Sequence, residues 1–145
     1  MVRLAVRAVI VEDGRLLLVN AYPSEESALW CAPGGGVETH SSLEDNLVRE
    51  VYEETGLTIS VGDPCLVNEF HSEARGFHQV EMFFRCRVGA GELTDAWVDP
   101  EAVVNRRRFF TRTELAGIAL KPDSLPDVAF GGGFRYDPLE ELVKP

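Results

Sequence analysis

The segment QVEMFFRCRV, residues 79–88, constrains the fold most. Val80, Met82, Phe84, Cys86 and Val88 alternate with Gln79, Glu81, Arg85 and Arg87, and a period of two buries one side only in an extended strand. Phe83 interrupts the polar side, so that face is predicted to be partly covered too.

Other strands are placed around it by their punctuation. Leu4 to Val11 is rich in β-branched residues, Asp13-Gly14 follows, and Arg15 to Asn20 carries LLLV; two apolar runs about an Asp-Gly read as a hairpin. LWCAP reads as a short strand ended by Pro33 and three glycines, Leu57 to Val61 as another, and Arg107 to Phe110 as the last. A helix over HSSLEDNLVREVYEET stops at Gly56, a C-cap residue. Thr111 and Glu114 have capping-box spacing before a short helix through LAGIAL. The tail after Pro122 gives little regular signal. Strands interleaved with two helices make an α/β (α+β) domain, and 145 residues without repeat or linker suit a single unit over residues 1–145.

The formal net charge of −10 argues against non-specific binding to nucleic acid or to an anionic membrane. It leaves small polyanions open, because bound cations invert the local field. No apolar run approaches the length of a membrane span. The first residues, with Arg3 and Arg7 inside an apolar run, read as a strand and not as a signal peptide. Cys31, Cys65 and Cys86 are odd in number and widely spaced, which reads as reduced thiols in a cytoplasmic protein.

The helix poses the chemical question. At about 100° per residue, Leu43, Leu47, Glu50, Val51 and Glu54 share an arc of roughly 100°. A solvated acidic face would lie opposite the leucines. Clustered carboxylates on the apolar side repel one another and are costly unless cations neutralise them. Such oxygen clusters hold Mg²⁺ or Mn²⁺, with waters and substrate phosphates completing the shell. The preceding glycines let the backbone approach a ligand and offer a carbonyl to a metal. The competing reading is a surface-charged helix end in which Arg49 pairs with Glu53, four residues on.

The stretch GGVETHSSLEDNLVREVYEETGL, from Gly35, resembles the signature of the Nudix hydrolases, G-x5-E-x7-R-E-U-x-E-E-x-G-U with U aliphatic. Gly35, Arg49, Glu50, Val51, Glu53, Glu54, Gly56 and Leu57 all match. The approach LWCAPGGG, the strand order and the RRFFTRTEL turn are also similar, so the resemblance runs to about Leu120. It implies an α/β/α sandwich with a mixed central sheet and a catalytic loop-helix. It also implies Mg²⁺-dependent (or Mn²⁺-dependent) hydrolysis of a nucleoside diphosphate linked to another group, by water attack on phosphorus. Glu50, Glu53 and Glu54 would be metal ligands with the Gly35 carbonyl, and Arg49 would orient Glu53. A homodimer is compatible with the family.

One position departs. The first glutamate of the pattern falls at Ser41, which with Glu44 forms a capping-box pair, Ser42 being an alternative cap one residue later. That substitution is the feature favouring the rival reading, a non-catalytic Nudix-like binding or regulatory domain. For the general base, the loop after the long strand offers Asp95, Asp99 and Glu101, with Glu101 preferred. Arg7, or Arg85 and Arg87, have the chemistry to grip substrate phosphates. Asn105 to Arg108 is a local basic patch. His40, His71 and His78 show no metal-ligand spacing. Phe70, Phe83 and Phe134 are candidates to stack on a base, with core packing favoured for Phe83. A nucleoside triphosphate or oxidised nucleotide is the default substrate, a nucleotide-sugar the second.

Overall fold

A computed structural model describes residues 1–145. Strand β1 (Arg3–Glu12) turns through Asp13 and Gly14, both at positive φ, into β2 (Arg15–Asn20), and Glu12 faces Arg15 across the turn. Two successive left-handed residues give a hairpin turn whose twist matches its strands, as the Asp-Gly foretells. Short strands β3 (Trp30–Cys31) and β4 (Gly34–Gly36) precede helix α1 (Leu43–Thr55). Then come β5 (Thr58–Ser72), β6 (Phe77–Ala90), β7 (Arg107–Thr111), α2 (Arg112–Leu115), α3 (Leu125–Phe130), β8 (Arg135–Tyr136) and β9 (Glu140–Glu141).

The strands form one mixed sheet in the order β3-β2-β1-β6-β5-β8, with β4 beside β1, β7 beside β2 and β9 beside β5. β1 runs parallel to β6, while β5 and β6 are antiparallel. Alternation along β1 and β6 feeds two cores. Val6, Ala8, Ile10, Phe84 and Cys86 pack under α1 with Leu47 and Val51. Val9 and Phe83, on the opposite face, pack with Trp30, Phe110, Leu115, Leu125 and Val128 beneath α2 and α3. The result is the α/β/α sandwich with a mixed central sheet.

Three elements differ from the sequence reading. β5 extends well beyond Val61, through Gly62, Asp63 and Pro64, with register shifts on either side of Pro64. Proline is tolerated there because β8 and β9 join β5 only from Leu66 onward, leaving Pro64 on an edge. α2 stops at Leu115, where Ala116 and Gly117 bond back to Thr113 and Glu114 in tight turns; Ile118 and Leu120 still pack on the core from outside a helix. The tail is ordered into α3, which buries Leu125, Val128 and Ala129, and into two strands that pair with β5.

Candidate active site

The glycine run and the end of α1 are shaped against each other. A β-carbon at Gly35 would sit 2.7 Å from the carboxyl carbon of Glu50, so a larger residue there would displace that carboxylate from its present place. Glu54 reaches the same place from the next turn, where its Oε1 accepts the Gly34 N–H at 2.9 Å. Arg49 lies over the outer side, 3.4 Å from Glu50, 3.3 Å from Glu53 and 3.5 Å from Glu38. The helix is closed off at Gly56, whose φ of 76° gives a left-handed cap. Behind it, Trp97 donates to the Glu53 carbonyl at 2.8 Å and Arg107 donates to the Glu54 carbonyl. These cations and donors satisfy carbonyls that the helix end would otherwise leave open.

At the other end, Ser42 rather than Ser41 caps the helix, its Oγ accepting the Asp45 N–H at 3.0 Å. The pairing of Ser41 with Glu44 is therefore not formed. The loop is instead held by Asn46, which is fully buried. Its Nδ2 donates to the carbonyls of Ser41 and Ser42 at 3.1 and 2.7 Å, and its Oδ1 accepts from the Glu38 N–H at 2.9 Å and from Arg49 at 3.3 Å.

Glu50, Glu53, Glu54, Gly35, Asp99 and Glu101 line one cavity of about 230 Å³. Burial pushes the Glu54 carboxyl up to about 8; Arg7 and the Gly34 N–H oppose the rise, and Glu50 and Asp99 add to it. Burial also raises Glu50, against Arg49 and with the help of Glu53 and Glu101. Glu54 stays raised although Arg7 pulls on it, and Glu50 although Arg49 lies 3.4 Å away, so these two cations do not offset the burial of the acids. No three acidic, histidine or cysteine side chains converge into a ready-made chelate. The donor set nevertheless fits Mg²⁺, which takes hard oxygens and relies on one or two carboxylates plus waters and phosphates rather than on an all-protein cage.

The remaining candidates separate. Asp99 spends its carboxylate on the N–H groups of Glu101, Val103 and Val104, at 2.9, 3.3 and 2.8 Å, and so folds the loop that presents Glu101. Asp95 is exposed and lines neither this cavity nor its neighbour. Arg7 lines the cavity, ion-paired to Glu81 at 2.7 Å and donating to the carbonyls of Ala32 and Gly34. Burial opposes its charge, but Glu81, Cys31 and Glu54 outweigh burial and its pKa rises. Arg85 departs from its assignment as a phosphate ligand: it sits beside α3, donating to the carbonyls of Val128 and Gly133, and lines neither cavity. Arg87 is exposed and also lines neither cavity. The basic run is mostly engaged, Arg106 over the Trp30 ring at 4.6 Å and Arg108 over Phe110 at 4.7 Å. His71 and His78 face Glu141 and Glu69, each at 3.2 Å, and His40 is exposed. Phe83 is core, Phe134 is exposed, and Phe70 lines a second cavity.

That second cavity, of about 400 Å³, adjoins the first and shares Arg3, Arg7, Ala21 and Cys31 with it. Sequence reasoning did not single out Arg3, Asn68, Gln79, Glu81 or Lys121 on its walls. The available signal was the polar side of the alternating strand, which Phe83 already marks as covered.

A family model described as NUDIX domain matches residues 1–128. The chain belongs to the NUDIX domain family. Among relatives of this NUDIX domain, a MutT-like protein from Streptomyces ambofaciens is 33% identical over 105 residues, covering 68% of this chain and 64% of its own. CTP pyrophosphohydrolase from Escherichia coli strain K12 is 41% identical over 74 residues, covering 50% of this chain and 55% of its own. The chain thus spans less than two thirds of the length of either relative. The crystal structure of a UDP-X diphosphatase matches the fold with a TM-score of 0.73 at 22% identity, over 97% of this chain and 68% of that one.

Proposed function

We propose that this NUDIX domain hydrolyses the diphosphate linkage of a nucleoside diphosphate derivative, by attack of water on phosphorus and with Mg²⁺ or Mn²⁺ as cofactor. A nucleoside triphosphate or oxidised nucleotide is the first choice of substrate and a nucleotide-sugar the second. The observation that carries the reading is the pair of adjoining cavities, one lined by the carboxylates of α1, the other wide enough for the remainder of a nucleotide. The names of relatives, MutT-like protein and CTP pyrophosphohydrolase, support the reaction class.

In this reading Glu50, Glu53, Glu54 and the Gly35 carbonyl hold the metal. The bound metal supplies neutralisation of the diphosphate oxygens and a lowered pKa for water. Arg49 keeps Glu50 and Glu53 pointed at the cavity by pairing with both. Arg7 presents positive charge at the junction of the two cavities, fixed there by Glu81. Glu101, held in place by the Asp99 turn, is the candidate to take the proton from the attacking water.

Ser41 favours the rival, a binding domain without catalysis; the bonds Asn46 makes to both sides of the loop weaken that argument, since loop and helix remain fastened. The deciding assay is Mg²⁺-dependent release of a mononucleotide across a panel of nucleoside diphosphate derivatives. A Glu53→Gln, Glu54→Gln variant is expected to lose about a hundredfold or more in kcat. Wild type and variant equally inert, with ligand still bound by both, would remove the hydrolase reading.

A further inference from the structure

The floor of the 400 Å³ cavity is a patch of sheet face. Arg3 and Arg7 come from β1, Gln79 and Glu81 from β6, and Asn68 and Phe70 from β5. Cross-strand register sets Asn68 opposite Glu81 and Phe70 opposite Gln79. Gln79 is 2% exposed, Glu81 5% and Asn68 2%, which is unusual burial for such side chains.

Most of their hydrogen-bonding capacity is consumed internally. Arg3 donates to Gln79 Oε1, Gln79 Nε2 donates to Glu81 Oε2 at 2.9 Å, and Arg7 Nε donates to the same oxygen at 2.7 Å. The chain's bonds to Glu81 therefore converge on one carboxylate oxygen, although a carboxylate accepts on both. Beside it, Asn68 Oδ1 is buried with no hydrogen-bond partner in the chain. An acceptor left in that state destabilises the fold, and buried amides in proteins are nearly always satisfied.

We propose that Asn68 and Glu81 read the nucleobase of the substrate and select one bearing an exocyclic amino group. The proposal rests on the assignment of the adjoining carboxylate cavity to the diphosphate. Residues opposite one another on adjacent strands lie about 5 Å apart at Cβ, close enough to address one base edge together. Two neighbouring acceptors require neighbouring donors. An amino group supplies two N–H donors, and the Asn68 amide also has a donor for the ring nitrogen or carbonyl next to it. A uracil or thymine edge offers one N–H between two carbonyls, so it satisfies only one of the two acceptors. Phe70 and Phe77, with ring centroids 5.9 Å apart and planes at 33°, line the same cavity and give a planar base an apolar face to lie on.

The test compares CTP with UTP and dCTP with dUTP, by kcat/KM with Mg²⁺ and by calorimetric Kd without it, in wild type and Asn68→Leu. Cytidine nucleotides are expected to be preferred by about tenfold or more in both the ribo and deoxy pairs. In Asn68→Leu that ratio is expected to fall to about twofold; a damaged fold would instead weaken both members alike and leave the ratio standing, so the ratio is its own control. A wild-type ratio near one, or an unchanged ratio in Asn68→Leu, overturns the proposal. So does a loss that follows removal of the 2′-hydroxyl regardless of base, which would assign the acceptors to the sugar. A hydrolase with no base preference would leave the proposed function intact. Base-selective binding without hydrolysis would do the reverse.

Discussion

Asn46 shows how one residue carries the consequence of another. Ser41 supplies no carboxylate, and the loop from Glu38 to Ser42 is tied to α1 through both ends of a single buried amide. Removing that amide takes the partner from the Glu38 N–H and the Ser41 carbonyl, while the Ser42 carbonyl keeps the Asn46 backbone N–H. Asn46→Leu is expected to cost roughly 2–4 kcal/mol, read as a lower urea midpoint at unchanged slope. Ser42→Ala, which removes only an exposed cap, should cost about 1 kcal/mol. Similar losses in the two variants would show that the loop is held by something else. The acids of α1 were legible from 3.6-residue periodicity alone, because Glu50 and Glu54 share the side of Leu47 and Val51. Asn46 was not, since an asparagine in a helix carries no periodic signal, and its bond to the Glu38 N–H, eight residues back, joins groups on either side of the left-handed residue His40.

At the level of elements, the strongly punctuated ones were readable and the weakly punctuated ones were not. The Asp-Gly hairpin and the Gly56 cap declare themselves through backbone conformations few residues adopt. β5 was cut short by Gly62-Asp63-Pro64, ordinarily a turn, here absorbed as an irregularity on an edge. β8 and β9 are two residues each and largely exposed, so neither alternation nor burial marks them. Yet this tail does structural work beside the larger cavity. Asp137 and Leu142 donate backbone N–H groups to Val67 and His71 at 2.9 and 2.8 Å, Tyr22 donates to the Val143 carbonyl at 2.6 Å, and Glu140 to Val143 line the cavity wall. It adds almost nothing to either core. A chain ended at Gly133 is therefore expected to melt within ~5 °C of the full chain, while KM for the substrate rises far more than kcat falls. A collapse of folding would place the tail in the stability of the whole; an unchanged KM would remove it from the site.

The molecule as a whole is a sheet with a core on each side, and its three thiols sample that plan. Cys65 lies in the core beneath α2 and α3, Cys86 in the core beneath α1, and Cys31 on the wall between the two cavities. All are free. Burial pushes Cys31 up to about 12, against the pull of Arg7, and Cys86 also to about 12, against the Gly62 backbone hydrogen bond; burial raises Cys65 as well. A thiol raised from its ordinary 9.0 to about 12 keeps its proton in the native state where the unfolded chain has lost it. Its contribution to stability is thus complete below pH 9.0 and is lost as pH rises through about 12. Thermal melts should accordingly fall between those limits, beyond what lysine and tyrosine titration accounts for, and a Cys31→Ser, Cys86→Ser variant should show a shallower fall. The same protonation makes the native thiols poor nucleophiles. At pH 8 the thiolate fraction is about 10⁻⁴ at such a pKa, against about a tenth for a free thiol near 9. Iodoacetamide should then label Cys31 slowly and with a rate that grows about tenfold per pH unit, because the cavity admits the reagent. Cys65 and Cys86 should label only through unfolding, at rates that follow urea concentration as global stability does. Rapid native labelling of all three at pH 8 would mean that the two cores open independently of the fold around them.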